Sequence, residues 1–314
     1  IDYCEARRLK PATVSRRLSS LAVAHHLLDV PCPVGAVVVR DALRGLRRRA
    51  GARQRQAGPL RLGEGIGREA VRGFTLSVLL EACGRDVAGL RDAAILSLGY
   101  DAGLRVSELV AVAVELMEAQ EDGSGLLEVP HSKTDQEGQG AWVWLSPDTM
   151  RRVALWREAA SIRAGALFRR VAVIRTKPRE ARRALAIEDL AYHARVDRER
   201  MAARPARAAT VTYGIGERAL TPAAMRLIIK RTALAAADQG LVDLMGADLD
   251  HAIDALSTHS LRVGLTQDLF ANGEDAGPIA QALRWTSTAT ALRYGRKLAP
   301  SSNAAARMLK GVRK

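Results

Sequence analysis

Apolar residues recur at helical spacing along most of the chain, which predicts a mainly α-helical protein. The clearest case near the N-terminus is residues 11–28, where Pro11 suits the first turn of a helix. One face of this predicted helix carries Val14, Leu18, Leu21 and Leu28. Two prolines end the pattern, and a second helix is predicted from Val37 to Arg49. Together they indicate a small helical domain.

The next stretch, Gly51 to Gly67, has no such periodicity. It is rich in glycine, arginine and glutamine, contains Pro59 and has few large apolar residues. This composition is typical of a linker. We therefore expect a helical domain over residues 1–57, a linker over 58–67 and a larger domain over 68–314.

In the larger domain, helical periodicity runs from about Thr75 to Tyr100, with an interruption at Gly84. A later helix is predicted from Thr221, a good N-cap residue followed by proline, through Ala236. Residues 179–210 are rich in arginine, glutamate and alanine with few large apolar residues. We expect a helical insertion there. A surface elaboration is one reading of it, and a contact with DNA or another subunit is the alternative.

Two short runs in the larger domain are rich in apolar and β-favouring residues. They are Leu126–Val129 and Ala141–Leu145, and a polar, glycine-containing segment separates them. This pattern predicts an antiparallel β-hairpin, with Lys133 at the end of its first strand or at its tip.

The composition indicates the size of the core and the kind of partner. The 314 residues are 48% hydrophobic and 26% charged, enough for a sizeable core and two domains. Lysine and arginine exceed aspartate and glutamate, giving a net charge of +14. This excess recurs along the chain and indicates a polyanionic partner, most simply nucleic acid. A solvated basic surface with no dedicated partner is the alternative.

Other composition signals bear on location and metals. No apolar run approaches the roughly 18 residues of a membrane span, and no signal peptide is visible. We expect a cytoplasmic protein, associated with a bacterial nucleoid or encoded by a phage or mobile element. Cys4, Cys32 and Cys83 are widely spaced, without a metal-binding pattern. We therefore expect reduced thiols and no structural metal.

Candidate chemistry concentrates near the C-terminus. His259 and Arg262 are three residues apart in a stretch with few helix breakers, so one helical face would present an imidazole beside a guanidinium. Such a face suits a phosphate group. Trp285 and Tyr294 follow in a run free of proline and glycine, which predicts an indole donor and a phenol on adjoining helical segments.

A second motif, Gly103-Leu104-Arg105-Val106-Ser107-Glu108-Leu109, places Arg105 and Glu108 three residues apart, and Lys133 follows 28 residues after Arg105. Cleaving a phosphodiester without a metal requires a nucleophile, cationic donors for the developing charge and an acid for the leaving alkoxide. Seven residues in these motifs could supply those parts: Arg105, Glu108, Lys133, His259, Arg262, Trp285 and Tyr294.

These motifs, in this order, resemble the tyrosine recombinase (phage integrase) family, and their spacings are most similar to those of Cre. The resemblance runs from about Tyr3 to the C-terminus, interrupted near residues 179–210. It implies a small helical core-binding domain, N-terminally incomplete here, and a larger α-helical catalytic domain with a small antiparallel β-sheet. It also implies a C-terminal exchange helix at residues 301–312, with an apolar stripe that docks on a neighbouring subunit.

The resemblance assigns roles to the motif residues. Tyr294 would attack the scissile phosphorus and form a 3′-phosphotyrosine, while Lys133 would protonate the leaving 5′ oxygen. Arg105 and Arg262 would clamp the non-bridging oxygens with forked donors. Glu108 would orient Arg105 or His259, and His259 would donate to phosphate and assist proton transfer. Trp285 stands where most of the family has histidine, and an indole cannot shuttle protons.

The expected function is site-specific DNA recombination without metal, ATP or another cofactor. The partners would be a double-stranded DNA site with inverted half-sites and a homotetramer that bridges two such sites. Candidate DNA contacts are Arg16 and Arg17 in the first domain, with Arg226 and Lys230 on the helix after Thr221. Two alternatives remain, namely a type IB topoisomerase-like relaxing enzyme and a catalytically idle DNA-binding or architectural protein.

Overall fold

The computed structural model describes residues 2–51, 56–63, 73–130, 140–186 and 202–295, together with positions 298, 305, 308, 309 and 312. Over these residues the protein is mostly helical and has two small antiparallel sheets, which confirms the predicted fold class. The chain divides into two compact units, Ile1–Gln56 and Ala57–Lys314. Among the helices described, none combines the length and apolar character that crossing a membrane requires.

The first unit contains α1 (Asp2–Ala6), α2 (Pro11–Leu27) and α3 (Val37–Ala50). Pro11 occupies the first turn of α2, as its missing N–H and fixed φ favour. Of the predicted apolar stripe, Val14 is buried, whereas Leu21 and Leu28 are 50% and 72% exposed. The helix was therefore predicted correctly, but its apolar face covers a core only near its N-terminus.

The second unit holds the remaining described helices. They are α4 (Leu76–Ala82), α5 (Val87–Asp101), α6 (Val106–Ala111), α7 (Pro147–Ala159), α8 (Pro222–Asp238), α9 (Gly246–Ala255), α10 (His259–Ala271), α11 (Ala276–Ala282) and α12 (Thr288–Tyr294). The predicted cap of α8 is present, because Thr221 Oγ1 accepts a hydrogen bond from the N–H of Ala224 at 3.2 Å.

Helix α5 is the centre of the second unit. All of its residues from Gly89 to Tyr100 are buried except Leu90, which is half-buried. A helix that is buried on every face must pack against other elements on every face. One group of side chains packs α5 against the first sheet, α7 and α8, and a second packs it against α4, α8 and α10. The turn after α5, which carries Arg105, is therefore anchored to the core.

The first sheet consists of β1 (Met117–Ala119), β2 (Gly125–Val129) and β3 (Ala141–Leu145) in that order. Strands β2 and β3 are antiparallel, with Leu127 opposite Val143, and they form the predicted hairpin. Lys133 belongs to residues 131–139, which lie outside the described residues.

The second sheet was not predicted. Strands β4 (Arg169–Thr176) and β5 (Thr210–Ala219) are antiparallel, and bridges between Arg179 and Arg207 and between Arg182 and Arg204 continue the pairing. The described ends of the expected helical insertion are thus extended, because cross-strand hydrogen bonds outweigh the helix propensity of arginine and alanine. Residues 187–201 of that insertion lie outside the described residues.

Residues 58–63, expected to begin a linker, are instead held within the second unit. Leu60 is fully buried and donates its N–H to the carbonyl of Ser260 at 2.9 Å. Arg61 donates from Nε to Oδ1 of Asp268 at 2.6 Å, and both side chains are buried. Composition predicted a flexible stretch because single apolar and charged residues carry no periodicity. Tertiary contacts to α10 override that signal.

Candidate active site

Helix α10 supplies the first two candidate residues. His259 begins it, and Arg262 lies one turn later with only 1% of its surface exposed. The Arg262 guanidinium donates from Nη1 to the carbonyl of Gly103 and from Nη2 to the carbonyl of Leu283. Arg262 therefore ties α10 to the turn after α5 and to the turn after α11.

These two turns approach so closely that glycine is needed at position 103. Gly103 has φ of +52°, a left-handed conformation that favours glycine. A Cβ atom there would lie 2.4 Å from the Leu283 side chain. The glycine of the Gly-Leu-Arg motif thus lets the turn that carries Arg105 reach the turn that carries Trp285.

Arg105 stands at the start of α6, and Glu108 holds it there. The backbone N–H of Arg105 donates to Glu108 Oε2 at 3.0 Å, and Arg105 Nη1 donates to Oε1 at 2.7 Å. Burial raises the pKa of Glu108, but the Arg105 hydrogen bonds and the charge of Arg284 outweigh it and lower that pKa overall. Glu108 is therefore ionised at neutral pH.

Tyr294 ends α12 and lies against both His259 and Trp285. Its hydroxyl is 2.8 Å from His259 Nε2. Its ring stacks on Trp285, with ring centroids 5.3 Å apart and planes 8° apart. The Arg262 guanidinium lies 5.0 Å from the Trp285 ring centroid, a cation–π distance. Trp285 was expected on a helix, but it lies in the turn between α11 and α12.

The residue after Tyr294 lies directly against helix α10. A Cβ atom on Gly295 would lie 2.2 Å from the ring of Phe270, a buried residue of α10. Only glycine allows this approach. The candidate nucleophile is therefore held close to the helix that carries His259 and Arg262.

The buried cations set the protonation of the site. Burial lowers the pKa of His259, and the charges of Arg262 and Arg105 lower it further. The imidazole is therefore neutral at pH 7 and can accept a proton from the Tyr294 hydroxyl. Burial also lowers the pKa of Arg262, to about 9, with Arg105 and Arg284 adding to the effect. Arg262 stays protonated at neutral pH.

One buried cation of the site was missed by the sequence analysis. Arg284 has a side chain only 9% exposed, and its Nη2 donates to Glu108 Oε2 at 3.0 Å. Its Nη1 donates to the carbonyl of Ala102 at 3.1 Å. The available signal was its place directly before Trp285, a residue that the sequence analysis had singled out.

The structure thus brings six of the seven predicted residues into two adjoining groups. His259, Trp285 and Tyr294 meet around the Arg262 guanidinium, and Glu108 pairs with Arg105. The seventh, Lys133, lies outside the described residues. Within the described part of the chain, no three histidine, cysteine, aspartate or glutamate residues lie close enough to hold a metal ion.

The predicted DNA contacts are on helices α2 and α8. Arg16 and Arg17 are exposed on α2, and Arg226 is exposed on α8. Lys230 is half-buried on α8 and pairs with Asp254, with Nζ 2.7 Å from Oδ1. Because both groups of that pair are solvent-accessible, the pairing stabilises little and leaves Lys230 able to exchange partners.

Comparison with known proteins gives one sequence relative and several structures. An integrase/recombinase XerD homolog of Selenomonas ruminantium is 29% identical over 170 residues, which are 51% of this chain and 46% of that protein. The match therefore spans less than half the length of the relative. A scan against protein-family models found no match. The sequence match supports the resemblance to integrases and recombinases that the motifs indicated.

Two solved structures align over most of the chain at low identity. A XerA recombinase has a TM-score of 0.46 and 17% identity, covering 97% of this chain and 83% of that one. A XerH recombinase, bound to a palindromic difH substrate in a post-cleavage complex, has a TM-score of 0.48 and 14% identity. The alignment covers 85% of this chain and 56% of that one. The sequence relative is named a XerD homolog, and the more specific likeness to Cre is not confirmed.

Proposed function

We propose that this protein is a site-specific DNA recombinase that cuts and rejoins strands through a covalent bond between DNA and Tyr294. One observation carries the proposal: the Tyr294 hydroxyl lies 2.8 Å from His259 Nε2, near the buried guanidinium of Arg262. A nucleophile, a base and a fixed cation close together are three of the parts that phosphoryl transfer requires. The net charge of +14 supports a DNA substrate.

In the proposed cleavage step, Tyr294 Oη attacks the scissile phosphorus while its proton passes to His259 Nε2. The bond between phosphorus and the 5′ oxygen breaks, leaving a 3′-phosphotyrosine and a free 5′ hydroxyl. Attack by that hydroxyl, or by one from a partner strand, reverses the step. Bond energy is kept in the phosphotyrosine, so the cycle needs no ATP.

The guanidiniums would stabilise the charge that develops on the non-bridging oxygens. Arg105 is the more accessible of the motif arginines, with 21% of its side chain exposed, and Glu108 fixes its direction. Arg262 is almost fully buried and donates to two carbonyls. Because these positive charges are already in place before the reaction, they need little reorganisation when the negative charge appears.

The leaving 5′ oxygen needs a proton that Trp285 cannot give, since an indole does not release its proton at accessible pH. In this proposal Lys133 supplies it, as the family resemblance implies. Trp285 instead packs between Arg262 and the Tyr294 ring. Its role is to hold the nucleophile against α10.

The proposed partners are a DNA site with inverted half-sites and three further copies of the chain. Arg16, Arg17, Arg226 and Lys230 would contact the DNA. Met308, Leu309 and Val312 are helical and 64%, 40% and 79% exposed, so their apolar surface is open to a neighbouring copy. Exchange of the segment over residues 301–312 would link the copies into a ring.

A trapping experiment tests the proposal. Fragments of the native genomic neighbourhood, nicked so that the cleaved end diffuses away, are incubated with the protein, and covalent adducts are isolated and sequenced. We expect adducts at one short sequence with the wild-type chain, and no adducts with Tyr294→Phe. Tyr213→Phe is the matched control, because Tyr213 lies on β5 and bonds Asp86.

The same experiment separates the alternatives. A recombinase forms adducts at one defined site and joins two such sites. A relaxing enzyme gives adducts spread over many sequences and removes supercoils from any plasmid. An architectural protein shifts DNA in a gel but yields no adduct.

A further inference from the structure

We propose that Arg284 is a positioning residue for strand cleavage, which acts by holding Glu108 and, through it, Arg105. The inference rests on the recombinase function proposed above. It concerns a side chain that the motif resemblance did not assign.

The backbone at Arg284 is of a kind that normally selects glycine. Its N–H donates to the carbonyl of Gln281 at 3.0 Å, and the N–H of Trp285 donates to that of Ala280 at 2.8 Å. This pair of bonds is the Schellman motif that ends a helix, here α11, with a residue in the left-handed region. Arg284 has φ of +54°, which is strained for any residue with a Cβ atom.

The Arg284 side chain makes contacts that a glycine could not make. Its Nη1 donates to the carbonyl of Ala102 at 3.1 Å, and its Nη2 donates to Glu108 Oε2 at 3.0 Å. Both terminal nitrogens thus donate to protein acceptors, and the side chain is only 9% exposed. This geometry fits a role in holding the protein part of the site.

Glu108 transmits the effect to Arg105. The same oxygen, Oε2, accepts from Arg284 Nη2 and from the Arg105 backbone N–H, while Oε1 accepts from Arg105 Nη1. Three donors therefore fix one carboxylate, which is 3% exposed. Without Arg284 the carboxylate keeps only its two Arg105 donors, so it is held less firmly and the Arg105 guanidinium with it.

Arg284 also works in parallel with Arg262. Arg284 donates to Ala102 from the turn after α11, and Arg262 donates to the carbonyls of Gly103 and Leu283. The two guanidiniums together join the turn that carries Arg105 to the turn that carries Trp285. A shift of about 1 Å between reacting groups can cost roughly a hundredfold in rate. The hydrogen bonds that connect these two turns should therefore affect the rate of cleavage.

Arg284→Gly is a sharp test, because glycine suits the left-handed backbone and Glu108 keeps its two Arg105 donors. We expect single-turnover cleavage of a trapped substrate to slow by roughly 10- to 100-fold. Methylguanidinium at a non-denaturing concentration should restore part of the rate by occupying the vacated position. Arg163→Gly, at an exposed position after α7, is the charge-matched control and should cleave at the wild-type rate.

Two further readouts separate positioning from a phosphate contact or a purely structural role. The salt dependence of DNA binding should be unchanged in Arg284→Gly, whereas loss of a phosphate contact would lower its slope by about one. The effects of Arg284→Gly and Glu108→Gln on cleavage should be strongly non-additive, because both act on the same carboxylate.

The possible failures are distinct. Absence of any adduct with the wild-type chain would overturn the recombinase function itself. Wild-type adducts together with an unchanged cleavage rate in Arg284→Gly would overturn only the positioning role. Slower cleavage without methylguanidinium rescue, with additive effects or with a lowered salt slope would also overturn it.

Discussion

Replacing Glu108 with glutamine should destabilise the second unit strongly, because its carboxylate is the shared acceptor of the site. It accepts three hydrogen bonds, from two Arg105 donors and from Arg284, and its side chain is 3% exposed. An amide keeps the shape but loses the charge. It also turns an NH₂ group toward a donor, so at least one guanidinium hydrogen bond is lost.

The magnitude follows from how buried the cations are. Removing one partner of a buried ion pair costs about 3–5 kcal/mol, since the remaining charge is left uncompensated. Arg284 is buried enough for that range, whereas Arg105 is 21% exposed and is partly compensated by water. We therefore expect Glu108→Gln to lower the free energy of unfolding by about 3 kcal/mol at pH 7.

The unfolding free energy lost in Glu108→Gln should be larger at neutral pH than in acid. The folded-state pKa of Glu108 is lowered, so the carboxylate contributes stability above its ordinary value of 4.5 and loses it as pH falls through the folded value. The gap between wild type and Glu108→Gln should be full at pH 7. It should narrow once the pH is well below 4.5.

Urea unfolding followed by tryptophan fluorescence measures this gap. All four tryptophans, Trp142, Trp144, Trp156 and Trp285, belong to the second unit, so the signal reports that unit alone. Glu158→Gln, at an exposed position of α7, is the matched control and should change stability by less than about 0.5 kcal/mol. A loss below about 1 kcal/mol in Glu108→Gln, or a gap that ignores pH, would refute the reasoning.

Three further predictions follow from the site and the proposed assembly. In the free protein the pKa of His259 should be below 6.5, because burial, Arg262 and Arg105 lower it. Imidazole NMR measures this, with the His259 signal assigned by its absence in His259→Gln. A titration midpoint at or above 6.5 would contradict the prediction. Lys133→Ala should slow cleavage strongly yet recover on DNA with a 5′-bridging sulfur, which leaves without an acid; equal loss on both substrates would remove Lys133 from that role. Truncation after Lys297 should leave binding to one half-site nearly intact but abolish cooperative binding to two, measured by gel shift; undiminished cooperativity would contradict the exchanged helix.

Much of the fold could be predicted because it depends on local signals. Thr221 and Pro222 predicted the start of α8, and two runs of apolar and β-favouring residues predicted the hairpin of β2 and β3. Strands β4 and β5 were missed because a long, arginine-rich connection separates them. The pairing of two segments that are distant in the chain produces no hydrophobic periodicity within either segment, so local sequence does not reveal it.

The candidate site divides in the same way. Arg105, Glu108, His259 and Arg262 stand three residues apart in pairs, so helical spacing alone placed each pair together. The contact of Tyr294 with His259 joins α12 to α10 and depends on Gly295 approaching Phe270, which no local pattern reveals.

Arg284 was overlooked because sequence rules favour glycine at the end of a helix in the left-handed conformation, and an arginine there gives no turn signal. Its importance comes from two acceptors that lie far away in the chain, Ala102 and Glu108. Only the folded structure brings them within reach.

Mass spectrometry of the trapped adduct tests the central claim most directly. After digestion of the protein and of the DNA, a single modified peptide should contain Tyr294, with the 3′-phosphate of one nucleotide attached to its phenolic oxygen. The Tyr294→Phe variant should yield no such peptide under the same conditions. Attachment at another residue, or through a 5′-phosphate, would contradict the assignment of Tyr294 as the nucleophile.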